Sequence, residues 1–150
     1  MRYVYAIAVA LLAAACSTPI GPGKLIKKPD RPSICDAAHF QDFLDSFSED
    51  EQVQRKHTEF PLHKREYRHV TTQVAPVPVE SVVKEADVRF PVYPSAIQQH
   101  ERSLTAEVTA QGGGKAEVHV SRADTDYLVV YSFDHKGSCW KLTRVEDRSS

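Results

Sequence analysis

From Leu104 to Val145 the sequence alternates apolar and polar residues in short runs parted by turn residues. Leu104, Ala106, Val108 and Ala110 alternate with Thr105, Glu107, Thr109 and Gln111. After Gly112-Gly113-Gly114, Ala116, Val118 and Val120 alternate with Glu117, His119 and Ser121. Tyr127 to Phe133 makes a third run, Asp134 to Ser138 turns the chain, and Cys139 to Val145 makes a fourth. A period of two sends successive side chains to opposite faces of a strand, and turns this short can join only antiparallel neighbours. The expectation is a four-stranded antiparallel meander with one face packed and the other wet.

A sheet with one apolar face needs a cover, and the residues before it supply one. Ala37, Phe40, Phe43, Leu44 and Phe47 form one stripe at helical spacing, with Asp36, Gln41, Asp42 and Asp45 on the outer side and Ser33 placed to cap it. Three phenylalanine rings suit a helix anchored on a sheet. Ser48-Glu49-Asp50-Glu51 reads as a capping box opening a second helix through Lys56, with Val53 as its main apolar residue; Phe60-Pro61-Leu62 then ends it. His63 to Val74 reads as a weak strand. Val79, Val82, Val83 and Ala86 have helical spacing, which favours a short helix after Pro78, though their β-branched content also suits a strand; Ser95 is placed to cap one further turn. The class is α+β: N-terminal helices packed on a C-terminal four-stranded antiparallel meander, in one domain spanning residues 33–150.

Residues 1–15 read as a signal peptide: Arg2 is basic, Val4 to Leu12 is apolar, and Ala13 to Ala15 are small. The apolar run is shorter than the roughly 20 residues a membrane-spanning helix needs. Cys16 follows directly, as in a bacterial lipoprotein cleavage box, where it would carry the acyl chains, palmitate among them. Leu12 lies one place earlier than the leucine of such boxes. Residues 16–32 then form a tether of Pro, Gly and Lys, read as a spacer or as a contact for anionic head groups. Ser17, where an inner-membrane retention signal would place Asp, points to the outer membrane, with the domain in the periplasm.

With Cys16 lipidated, two of the three cysteines remain, and in an oxidising compartment Cys35 and Cys139 are the natural disulfide; the other reading is two buried thiols. The bridge would close a loop of about 100 residues, contributing roughly 4–5 kcal/mol in the chain-entropy description. The formal net charge of −1 shows no basic excess that would recruit nucleic acid.

Catalytic patterns are sparse. His57, His63 and His69 recur every six residues, but Pro61 interrupts any strand that would align them, and no H-x-x-x-H or C-x-x-C spacing occurs, so no metal and no cofactor is expected. Gly112-Gly113-Gly114-Lys115 lacks the other half of a phosphate loop and reads as a hairpin turn. There is no G-x-S-x-G elbow. Arg55, Lys56, Lys64, Arg65 and Arg68 cluster in sequence around Phe60-Pro61-Leu62, either as a basic rim for an acidic partner or as a solvated face.

Two groups of residues carry a resemblance. Phe40, Phe43, Leu44, Phe47, Gln54, Arg55 and Phe60-Pro61-Leu62 form one; Tyr127 to Tyr131, Phe133, Cys139, Trp140, Leu142, Glu146, Asp147 and Ser149 form the other. Together they resemble a bacterial family of small exported proteins and lipoproteins to which no activity is attached. That family is similar to the nuclear-transport-factor-2-like α+β cone, in which helices close over a curved antiparallel sheet. The resemblance spans about Ile34 to Ser149 and implies a fold rather than a site. Val53 stands where that pattern has an aromatic residue, which implies a more loosely packed second helix.

The anchor, the disulfide and the lack of a catalytic constellation lead to the expectation of a non-enzymatic module. It would bind a periplasmic or secreted protein, as an immunity protein or toxin inhibitor does. One alternative is a ligand-binding or enzymatic cone, with His119, Asp126 and Tyr131 converging in a cavity. Another is a structural part of an envelope assembly.

Overall fold

Ten elements follow one another: α1 (Phe40–Glu49), α2 (Glu51–Lys56), β1 (Thr58–Arg68), β2 (Val77–Val83), a 3-10 turn at Glu85–Asp87, α3 (Ala96–Glu101), β3 (Leu104–Gly112), β4 (Lys115–Arg122), β5 (Leu128–Lys136) and β6 (Cys139–Asp147). They come from a computed structural model that describes residues 35, 39–71 and 74–149, all within the unit Arg31–Ser150. The expected signal peptide, the Cys16 anchor, the tether, and Ser33, Asp36 and Ala37 of the first helix lie outside the described residues.

The strands form one sheet of six, ordered β2-β1-β6-β5-β4-β3, so the expected count of four is corrected. β3 to β6 are the meander the alternation predicted. Of the two additional strands, β1 overlaps the weak strand expected from His63, and β2 lies where a short helix was expected. β1 begins at Thr58, five residues before the expected start, runs through Phe60-Pro61-Leu62, and pairs in parallel with β6. Its register slips between Thr58 and His63, the stretch holding Pro61, which has no N–H to give to the ladder. β2 replaces the predicted helix after Pro78 and pairs antiparallel with β1. Four of its seven residues are valines, which lose side-chain freedom in a helix, and its edge position tolerates Pro78.

α1 buries Phe40, Phe43, Leu44 and Phe47, the stripe read from the sequence. The expected capping box at Ser48 is not formed. α1 continues to Glu49, the Ser48 hydroxyl donates back to the Asp45 carbonyl (2.9 Å), and Asp50 caps α2 by accepting from the Gln52 N–H (2.7 Å). A capping box occurs instead at Ser95 and Gln98 at the start of α3. The β3–β4 hairpin turns on Gly113 and Gly114, whose φ values of 58° and 73° are the pair of positive angles a two-residue hairpin favours.

The core lies between α1 and one face of the sheet, and it is aromatic. Phe133 sits beneath α1, its ring 5.4 Å from Phe40, 5.9 Å from Phe43 and 5.4 Å from Phe47. Trp140 packs edge-on to Phe40 at 4.7 Å, and Tyr93 meets Tyr131 at 4.8 Å. Val53 only borders this cluster, while its neighbour Gln54 is fully buried. The Gln54 side chain donates to the Tyr93 carbonyl (2.9 Å) and accepts from the Val92 and Tyr93 N–H groups (2.7 and 3.1 Å). Those three bonds pin the segment before α3 to α2 and meet the cost of burying an amide.

Candidate functional site

Strand register divides the sheet into two chemically different faces. Val118, Tyr131 and Val145 lie side by side across β4, β5 and β6, as do Ala116, Phe133 and Leu142, and all six are buried under the helices. The alternate residues form the other face. One row there runs Glu117, Ser132, Arg144, His63; the next runs His119, Val130, Glu146, Arg65, Glu80. This open face carries a groove of about 540 Å³ lined by Glu59, Glu117, Asp134 and Glu146 and by Lys115, Lys136 and Arg144, with His63 and Ser132 between them.

Ion pairs order this surface. Lys115 meets Asp134 at 3.2 Å, and Lys136 meets Glu59. Arg65 pairs with Glu80 and lies 3.7 Å from Glu146, while Arg144 reaches Glu80 at 3.8 Å. Glu146, only 6% exposed, accepts from Arg148 (2.7 Å) and from the Tyr67 hydroxyl (3.1 Å). The Arg148 hydrogen bond, with Tyr67 and Arg65 adding to it, outweighs burial and holds the Glu146 carboxyl below the usual carboxylate range. The surface offers both signs of charge on a rigid strand framework. That arrangement suits a partner with complementary charges better than a ligand of one sign.

A third feature sits at the edge of the core. Cys35, just ahead of α1, is disulfide-bonded to Cys139 at the start of β6, with a sequence separation of 104. His57, immediately after α2, is buried, and its Nδ1 lies 3.2 Å from the Trp140 carbonyl and 3.3 Å from Cys139 Sγ. A carbonyl only accepts, so Nδ1 carries the proton, and the buried Nε2 is left without a hydrogen-bond partner. Burial lowers the His57 pKa, and the positive charges of Lys141 and Lys56 work in the same direction. Among the described residues Cys35, His57 and Cys139 form a group with metal-ligand chemistry, their donor atoms all within 4.8 Å, but sulfurs bonded to each other cannot act as thiolate ligands.

The structure disperses the basic cluster read from the sequence. Arg55 lies over the Phe90 ring at 4.2 Å, and the Lys56 carbonyl takes a hydrogen bond from Lys141. Lys64 and Arg65 are consecutive on β1 and so point to opposite faces; Arg65 is tied to Glu80, and Arg68 to Glu66 at 3.1 Å. The three histidines do not converge either: His57 is buried at the disulfide, His63 opens into the groove, and His69 is exposed beyond the end of β1. His119 belongs to the open face, Asp126 is exposed ahead of β5, and Tyr131 is in the core, so these three line no common cavity. Sequence does not reveal the open-face rows because their members come from five strands, one of them, β2, expected as a helix.

Compared with models of known protein families and with curated proteins, the chain matches none. Among solved structures it is similar to the crystal structure of an NTF2-like protein from Bacteroides fragilis NCTC 9343. The similarity has a TM-score of 0.53 at 15% sequence identity, over 74% of this chain and 47% of the other. This chain has the NTF2-like fold: helices first, then a curved open sheet. It spans about half the length of the structure it matches.

Proposed function

We propose that this protein is a non-enzymatic protein-binding module, carried on the outer membrane by acyl chains on Cys16, with its domain in the periplasm. The open face of the sheet is the surface that meets the partner. The observation that carries the reading is the charged groove of the outer face. Directly beneath α1 the space is occupied by Phe40, Phe43, Phe47, Phe133 and Trp140, each under 3% exposed. Smaller recesses of about 310 Å³ between α1, α3 and β3 and about 230 Å³ beside Tyr131 and Val145 remain on that side, against about 540 Å³ on the outer face, which also carries ordered pairs of opposite charge. Neutralising a toxin that enters the periplasm, as an immunity protein, fits such a surface: a preformed charged face speeds capture and rejects wrong partners.

The test is a capture experiment. The chain from Ser17 onward, exported behind a cleavable leader so that it is oxidised and unlipidated, is offered envelope extract and secreted proteins. One stoichiometric protein partner is expected. Replacing Arg144→Glu and Glu117→Lys together should weaken that capture at least tenfold while circular dichroism shows the fold retained, the thermal midpoint falling only slightly as Arg144 loses its pairing with Glu80. Capture that survives both reversals would place the binding surface elsewhere. A folded bait that captures nothing, yet binds a small molecule displaced by the same variants, would favour a ligand site in the groove.

A further inference from the structure

The geometry points to a second activity at the Cys35–Cys139 bond: thiol–disulfide exchange, with Cys35 as the sulfur attacked and Cys139 as the sulfur that leaves. The two sulfurs are not equivalent. Cys35 is partly exposed, whereas Cys139 is 6% exposed and lies against the core. An incoming thiolate therefore reaches Cys35, and in-line displacement puts the departing electron pair on Cys139. His57 Nδ1 is 3.3 Å from that sulfur, and its one proton, given to the Trp140 carbonyl at 3.2 Å, is within reach of a thiolate formed on Cys139. The imidazole is held there by the Trp140 carbonyl, with the Phe43 ring edge-on 5.6 Å from it. Lys56 and Lys141 put positive charge near the imidazole, Lys141 donating to the Lys56 carbonyl at 2.6 Å. A hydrogen-bond donor and nearby cations lower the basicity of a thiolate, and a less basic thiolate leaves faster.

The chemistry balances with a thiol as co-reactant. The thiolate forms a bond to Cys35 Sγ as the Cys35–Cys139 bond breaks, giving a mixed disulfide and a Cys139 thiolate that accepts from His57 Nδ1–H. A second thiol then attacks the donor sulfur of the mixed disulfide and releases the donor as its own disulfide. Cys35 and Cys139 take up two protons from solvent. The protein gains two electrons and the donor pair loses two. Run backwards, the same steps let the reduced pair reduce a disulfide in another molecule. The substrate class is a low-molecular-weight thiol or a solvent-facing cysteine pair. This activity does not depend on the protein-binding reading above.

The experiment uses the chain from Ser17 onward, which retains the whole core, with glutathione as the probe. Mass mapping after brief exposure and acid quench should find glutathione on Cys35 and not on Cys139, while the protein is still folded. The rate of reduction should fall roughly tenfold in His57→Leu, which removes the donor, and should stay within about threefold of the parent in His57→Asn, whose amide N–H reaches the same position. Circular dichroism of each variant reports folding, and the mapping of the unsubstituted chain stands even if a variant misfolds. Glutathione on Cys139, a rate that follows global unfolding in urea, or equal rates in the Leu and Asn variants would each overturn the proposal.

Discussion

Two buried polar side chains, Gln54 and His57, fix the joints of this fold. Gln54 makes three hydrogen bonds to the backbone of Val92 and Tyr93. Gln54→Ala would strand those groups inside the protein, and a loss of about 2–4 kcal/mol is expected from chemical denaturation. Gln54→Leu, of similar volume, should not recover it. His57 sets a pH response. Burial holds its folded pKa below the ordinary histidine value of 6.5, so as pH falls the unfolded chain binds the proton first. Stability from this group is complete above about pH 6.5 and declines as pH drops from there towards the lower folded value. Denaturation midpoints measured from pH 7.5 to 5 should fall on the acid side, and His57→Asn should flatten that part of the profile. The sequence showed neither role: a polar residue gives no sign of burial when its partners, Tyr93 and Trp140, come from distant segments.

At the scale of elements, legibility followed how local the signal was. The meander from Leu104 to Val145 and the phenylalanine stripe of α1 were legible because period and turn residues are written within each segment. β1 was legible only in part, since Pro61 reads as a stop to any local rule, yet the strand continues by pairing with β6. β2 was misread because Val79, Val82 and Val83 satisfy a helical spacing while their β-branched side chains favour the strand that β1 offers. The open face was illegible for the same reason: Glu117, Arg144, His63 and Glu146 become neighbours only through cross-strand register. β2 is an edge strand, held by β1 on one side and by Glu80 reaching Arg65 and Arg144. Glu80→Ala should cost under about 1 kcal/mol globally, because the pairs are partly solvated. Amide exchange in Val77–Val83 should nonetheless quicken relative to β5 and β6 in the centre of the sheet. Uniform exchange across all six strands would count against that division.

At the scale of the whole molecule, the Cys35–Cys139 bridge ties the segment ahead of α1 to the first residue of β6. Cys35→Ser with Cys139→Ser should lower unfolding free energy by about 2–4 kcal/mol while α1, held by its aromatic contacts, keeps its place. Equilibrium denaturation with matched near-ultraviolet spectra would check both halves of that expectation. The pairing of β1 with β6 has a further consequence, one of timing. A polypeptide delivered amino end first, from a ribosome or through a membrane pore, presents Thr58–Arg68 long before Cys139–Asp147 arrives. Until then β1 has only β2 beside it, and the rings of α1 lack Phe133 and Trp140 to settle on. The domain can therefore close only after its sixth strand has emerged, and a partly delivered chain stays open, threadable and dependent on whatever shields its phenylalanines in the interval.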